Sequence, residues 1–320
     1  MIKEIVSIPL PVSEDLVIKK NRLEGGSRKR KKRISIVTGI HGDELEGQLV
    51  CFEVGRRIRE HPEFLNGIVD IYPAMNPLGI DSINRGIPGF DIDMNRLFPG
   101  NEDGSMTEYL AARVMEDILG SDLVLDIHAS NIFLTEIPQV RINTLHKEWL
   151  VPIAKDLNVD FIWVHANSTV LESTFAFSLN SRNTPTLVVE MGVGMRLTKA
   201  YADQLVSGIF NVMSKMGIWK GPAEAARIPM ISDADDDVSF LNAPVSGVFV
   251  NKAEHGDMLK RGQLIGCVVD PLEGKILREI KSPQAGLLFT IREYPVVNEG
   301  SLIARVLKKS VALSAKEGRR

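Results

Sequence analysis

An α/β architecture is the fold class this sequence predicts: a mixed, mostly parallel sheet with helices on both faces, plus a small C-terminal β-barrel or barrel-sandwich unit. Three observations predict it. Short β-branched runs alternate with amphipathic stretches as far as about residue 220. Strands separated by helical patterns favour a sheet buried on both sides. Near residue 220 the rhythm breaks in "GPAEAARIPMISDADDDVSF", and beyond it a β pattern repeats without any helical one. The expected units are therefore residues 1–222 and 238–310.

The strands follow in order as "RISIVTGI" (33–40), "GIVDIYPAM" (67–75), "DLVLDIH" (122–128), "DFIWVHA" (160–166) and "TPTLVVEMG" (184–192). Between them, Leu45, Leu49 and Phe52 fall on one helical face, as do Leu110, Val114 and Ile118. Thr107 suits the start of that second helix and Gly120 its end. Leu205, Ile209, Val212 and Met216 repeat the spacing in a third helix. In the C-terminal unit, "APVSGVFV" (243–250) recurs as "SPQAGLLF" (282–289). Each copy leads through a Gly-containing turn to another strand, "KRGQLIGCVV" or "NEGSLIARVL". Two copies of one hairpin predict a pseudo-symmetric small β unit, followed by a frayed tail.

Composition narrows the function classes. The 320 residues are 44% hydrophobic and 25% charged, ordinary for a globular protein. A formal charge of −3 gives no overall field for nucleic acid or an anionic membrane. The basic run "SRKRKKR" (27–33) stands alone and reads as a solvated loop, and "DADDD" (233–237) as a solvated linker without calcium-loop spacing. Two distant cysteines, Cys51 and Cys267, build no disulfide framework. Without a signal-like leader or a membrane-length apolar stretch, the expectation is a cytoplasmic protein.

Chemistry concentrates at strand ends. The first strand runs into His41-Gly42-Asp43-Glu44, and a second apolar strand closes on His128. Functional groups of open α/β sheets gather where strands exit at their carboxyl ends. Two imidazoles and a carboxylate form the set that catalytic zinc sites use while keeping a fourth position open. Taken alone, each histidine also fits a hydrogen-bonded structural role. Glu190 ends the run "TPTLVVE"; such a carboxylate is costly unless paired or facing a cleft. There it would move protons for an attacking water, or else cap a helix or bridge a cation. In "FDIDMNRLFPG", Arg96 beside Asn95 suits capture of a carboxylate, against the alternative of an Asx turn with a solvated Arg. Arg85 suits a developing carbonyl charge, or is simply solvated.

These segments, "GIHGDELEG", "NPLGIDSINRGIPGFDIDMNRLFPG", "GSMTEYLAARV", "LDIHAS", "EIPQVR" and "LVVEMG", occur in the order that resembles the succinylglutamate desuccinylase/aspartoacylase family, a branch of the zinc metallocarboxypeptidase superfamily. The likeness spans about residues 30–220 and implies a zinc carboxypeptidase-like fold. It implies one Zn2+ held by His41, Glu44 and His128. It further implies Glu190 as general base and acid, Arg85 facing the oxyanion, and Asn95 with Arg96 on a substrate carboxylate. Asp93 would fix the tautomer of a ligand imidazole. The implied reaction releases a carboxylic acid and an amine from an N-acyl amino acid or a related small amide. A metallocarboxypeptidase acting on peptides is the nearest alternative. A non-catalytic binding or carrier protein is another, although Lys275 lacks the flanks of a carrier lysine.

Ala129, Phe133 and Leu134 depart from the family pattern and make one side of the pocket more apolar. Arg141 and Arg182 are further candidates for a carboxylate contact. His61, His146, His165 and His255 have no ligand-spaced partners. The expected partner is a small-molecule substrate, with no nucleic acid and no membrane. Assembly into a homo-oligomer is left open.

Overall fold

The computed structural model describes residues 1–27, 30–165 and 173–310. The chain opens with the hairpin β1 (Ile2–Pro9) and β2 (Asp15–Glu24), then β3 (Arg33–Thr38), α1 (Glu46–Glu60), β4 (Ile68–Tyr72), α2 (Pro77–Ser82), α3 (Met106–Ile118) and β5 (Leu123–Ala129). It continues through β6 (Leu134–Asn143), α4 (Lys147–Ala154), β7 (Phe161–His165), α5 (Phe175–Asn180), β8 (Thr186–Gly192), α6 (Lys199–Met216) and β9 (Met230–Ser232).

The main sheet runs β1-β2-β4-β3-β5-β8-β6, with β7 beside β6 and β9 beside β7. The four strands β4, β3, β5 and β8 are mutually parallel. β5 is buried at every residue, as a central parallel strand covered on both faces should be. One face packs on α1 and α6 through Val50, Val54, Leu205 and Ile209 against Ile36 and Leu125. The other packs on α3 through Leu110, Val114 and Ile118 against Val37 and Val124. The sheet is mixed: β1 with β2, β2 with β4 and β6 with β8 pair antiparallel, whereas β6 and β7 run parallel.

Two local expectations need correction. The buried stripe of α1 is Val50, Cys51, Val54 and Ile58, whereas Phe52 is 54% exposed. Leu45 is the N-cap, so the expected face flanks the stripe that meets the sheet. The N-cap of α3 is Ser105, in a reciprocal capping box with Glu108, and Thr107 lies buried inside the helix.

The C-terminal strands are β10 (Val238–Asn242), β11 (Gly247–Asn251), β12 (Met258–Leu259), β13 (Leu264–Asp270), β14 (Lys275–Lys281), β15 (Gly286–Arg292), β16 (Val296–Val297) and β17 (Leu302–Lys308). The repeat seen in sequence becomes two antiparallel pairs, β11 with β13 and β15 with β17. They lie in separate sheets around one core that includes Phe249, Ile265, Leu288 and Ile303. The β15–β17 pair belongs to the main sheet, because β15 pairs with the first residues of β6, whereas β11 and β13 lie in a separate four-stranded sheet. Among the described residues, no helix is long and apolar enough to cross a membrane.

Candidate active site

A cavity of about 500 Å³ opens at the carboxyl ends of β3, β5 and β8. Gly39, at φ +71°, turns the chain out of β3, and a Cβ there would meet Ile80 and Pro73. The next glycine is tighter still: a Cβ on Gly42 would stand 2.0 Å from the Gly79 carbonyl carbon. That close approach places His41 and Glu44 over the end of β5. His128 and Glu190 are register partners on the adjacent parallel strands β5 and β8, so both side chains leave the same face. All four line the cavity.

Glu44 stands between the imidazoles. One oxygen is 2.8 Å from His41 Nδ1 and the other 2.9 Å from His128 Nδ1, and the two Nδ1 atoms are 3.2 Å apart. Each ring has a second carboxylate behind it: His41 Nε2 is 3.1 Å from Asp93, and His128 Nε2 is 3.0 Å from Asp126. Burial would drive both histidines neutral, but Glu44 with Asp93 outweighs it at His41, and Asp126 with Glu44 outweighs it further at His128. Both pKa values are raised, that of His128 well above its ordinary value. Burial also pushes Glu44 and Asp93 upward, yet the facing imidazoles hold both well below the usual carboxylate range.

Asp93 starts the turn Met94–Arg96 by accepting from the Asn95 amide at 2.8 Å. Arg85 donates to Glu44 at 2.9 Å and its other arm lies 3.5 Å from Asp93. The Asn95 side-chain oxygen accepts from the Phe175 amide at 2.8 Å, tying the turn to α5 and leaving the side-chain NH₂ for other partners. Arg96 is 43% exposed, and its guanidinium donates to the Asn95 backbone at 2.8 Å. Both line the cavity. Glu190 is 3.3 Å from Arg141 and 16% exposed; burial raises its pKa and Arg141 opposes the rise.

The sequence matches the family profile of the succinylglutamate desuccinylase/aspartoacylase catalytic domain over residues 30–216. That span covers more than half of the chain. The chain belongs to the succinylglutamate desuccinylase/aspartoacylase family. As a member it is a hydrolase acting on amide bonds. It is 27% identical over 275 residues to an N-alpha-acetyl-L-2,4-diaminobutyric acid deacetylase from Halomonas elongata, a match covering 83% of this chain and 79% of that one. Its fold is shared with the product-bound ectoine utilization protein EutE (DoeB) from Ruegeria pomeroyi, at a TM-score of 0.81 and 20% identity over 96% of this chain and 95% of that chain. It is shared equally with a succinylglutamate desuccinylase/aspartoacylase from Rhodobacter sphaeroides, at 0.80 and 23% over 96% of each.

In this family member, the donor set fits a divalent metal. The ligand atoms of His41, Glu44 and His128 lie within 4.8 Å of one another, all are buried, and one side opens on the cavity. Three protein donors with an open side are the arrangement of a catalytic zinc site, whereas a structural site is closed by four. Two nitrogens and one carboxylate equally accept cobalt or nickel.

The expected residues His41, Glu44, Arg85, Asn95, Arg96, His128, Arg141 and Glu190 all line this one cavity. Arg182 is not among its lining residues; its guanidinium donates back to the Ser178 carbonyl at 3.0 Å. Sequence reasoning missed Asp126, although the spacing Asp-x-His on a strand puts both side chains on one face. It missed Glu136, and Phe240 and Arg305 from the C-terminal strands, all of which line the cavity. His146 and His165, which have no ligand-spaced partners in the sequence, are both on the cavity wall. Glu46, fully buried, accepts from the Thr198 amide at 2.7 Å and the Thr198 hydroxyl at 2.6 Å. It pins the loop after β8 to the start of α1, and so Glu190 to Glu44.

Proposed function

We propose that this hydrolase is a zinc-dependent deacylase that releases a carboxylic acid and an amine from N-acyl amino acids. One observation carries the reading: the buried His41–Glu44–His128 group and Glu190 face the same cavity from neighbouring strand ends. In this reading residues 1–222 are the hydrolase domain and 238–310 a small all-β domain forming part of the cavity wall.

His41, Glu44 and His128 would hold the ion. Zinc bound there supplies Lewis acidity, which makes an attacking water acidic near neutral pH. Asp93 and Asp126 orient the two imidazoles by facing their outer nitrogens. Arg96, with the NH₂ of Asn95, receives the substrate carboxylate and so fixes the amide relative to Glu190. The Glu190 carboxylate takes one proton from the water as the water oxygen bonds to the acyl carbon. The same Glu190 oxygen returns that proton to nitrogen as the C–N bond breaks, so the amine leaves neutral. Arg85, at the edge of Glu44, places positive charge where the carbonyl oxygen becomes negative.

The test is amine release from N-acetyl-L-2,4-diaminobutyric acid, other N-acyl amino acids and short peptides, with zinc-loaded wild type beside Glu190→Gln. The variant is expected to keep one metal per chain and lose about 10²–10⁴-fold in kcat. Wild-type turnover in Glu190→Gln refutes the role given to Glu190. Cleavage of peptides alone refutes the deacylase reading in favour of a carboxypeptidase.

A further inference from the structure

We propose that Arg305, on β17, is a positioning residue for the reaction: through Glu136 it fixes Arg141, and Arg141 fixes the Glu190 carboxylate. The inference rests on the reading of Glu190 as proton carrier, and it makes the C-terminal strands part of the catalytic machinery.

The chain of contacts begins with strand parity. Glu136 and Arg141 are five residues apart on β6, an odd spacing that would send them to opposite faces of a regular strand. Between Glu136 and Gln139 the β6–β8 ladder slips: three steps along β6 match two along β8, from Gly192 to Glu190. One inserted residue reverses the alternation, and Pro138, which has no N–H to give a ladder, sits within the slip. Arg141 thereby shares a face with Glu136 and with Glu190. Its Nη2 donates to Glu136 at 2.7 Å, and its Nη1 lies 3.3 Å from Glu190.

Glu136 is completely buried. Its second oxygen accepts from Arg305 and, at 3.2 Å, from the hydroxyl of Thr290, which is its register partner on β15. Arg305 is held in place by the rings of Phe240 and Trp163, whose centroids lie 5.4 and 5.6 Å from its guanidinium carbon. Trp163 stands 5.9 Å from the Arg141 guanidinium as well. Two guanidinium groups thus face two carboxylates, and the charges balance when Glu190 is ionised.

The balance decides where Arg141 goes. Arg141 is already nearer to Glu136 than to Glu190. Without Arg305, Glu136 would be a buried charge with Arg141 as its sole cation, a strong penalty that only tighter pairing relieves. Arg141 then withdraws from Glu190. Arg305 is what leaves Arg141 a free arm.

Full-length, zinc-loaded Arg305→Met, Arg305→Lys and Arg305→Met/Glu136→Gln test the proposal. Each is assayed on the N-acyl amino acid that wild type cleaves fastest, and Arg305→Met and the double variant are crystallised. Arg305→Met is expected to lower kcat about 10- to 100-fold with little change in KM, since a displacement of about an ångström at a reacting group costs that much. Arg305→Lys, which keeps the charge, should recover part of the loss. The double variant removes one charge of each sign, leaves Arg141 to Glu190 alone, and should be faster than Arg305→Met. In crystals, Arg141 should have left Glu190 in Arg305→Met and returned in the double variant. An Arg141–Glu190 contact unchanged in Arg305→Met overturns the proposal, as does a double variant no faster than the single one. If Glu190→Gln keeps wild-type turnover, the Glu190 reading falls by itself; the position of Arg141 in the Arg305→Met crystal still decides whether Arg305 positions it.

Discussion

Zinc binding to the metal-free protein should release protons, and the geometry of the ligand cluster sets how many. His41 and His128 each have carboxylate oxygens opposite both ring nitrogens, at 2.8 and 3.1 Å for His41 and 2.9 and 3.0 Å for His128. A neutral imidazole donates from one nitrogen only, so its other lone pair would face a carboxylate; the doubly protonated ring satisfies both. This is the physical origin of the raised pKa values, in which the carboxylates outweigh burial. The shift extends the charged form of both rings to higher pH than in a free imidazole, further for His128 than for His41. A metal can take the Nδ1 atoms only after their protons leave. The 3.2 Å separation of the two Nδ1 atoms works against both being protonated at once, so release should be more than zero and fewer than two protons per zinc. Each proton makes apparent affinity rise about tenfold per pH unit, or about 1.4 kcal/mol. The dependence fades once pH passes above the raised values. Calorimetric titration of metal-free protein with zinc, in buffers of differing ionisation enthalpy, gives the proton count directly. Zero release at pH 7, with affinity flat from pH 6 to 8, would refute the reading that the surrounding carboxylates hold protons on the imidazoles.

Two further outcomes follow from the same cluster. Asp126→Asn removes the charge behind His128 and should weaken zinc binding about 10- to 100-fold in a chelator competition, with the melting temperature of the metal-free chain little changed. Gly42→Ala drives a Cβ to 2.0 Å from the Gly79 carbonyl carbon, where backbone cannot yield cheaply. Urea unfolding should show a loss of about 1–3 kcal/mol, with weaker zinc binding because His41 and Glu44 flank the displaced residue.

The parallel centre of the fold was legible because it is locally encoded. β3, β5 and β8 are continuous apolar runs, and the structure places each within two residues of its predicted ends. The metal cluster was legible for the same reason: each member terminates or follows such a run, and strand ends converge on one edge of a parallel sheet. Where two helical stripes competed, sequence alone misled. In α1 both Leu45–Leu49–Phe52 and Val50–Val54–Ile58 have helical spacing, and only packing against Ile36 and Leu125 selects the second. The β1–β2 hairpin was not read at all, since its alternation of apolar and polar residues is interrupted by Lys20, a buried lysine 2.6 Å from Asp117. A charge in a core position looks like surface until its partner is seen.

Arg305 marks the limit of that kind of reading. It sits in "SLIARVLKK", where nothing local separates it from the other basic residues near the C-terminus. Its partner is 169 positions away, brought close by β17 pairing with β15 and β15 with β6. The β6 slip that turns Arg141 toward both Glu136 and Glu190 is equally invisible, because a bulge is defined by the strand opposite. Motifs report residues whose chemistry is fixed by their own segment. A charge balance shared among β6, β8 and β17 has no segment of its own, so it emerges only when the sheet is assembled.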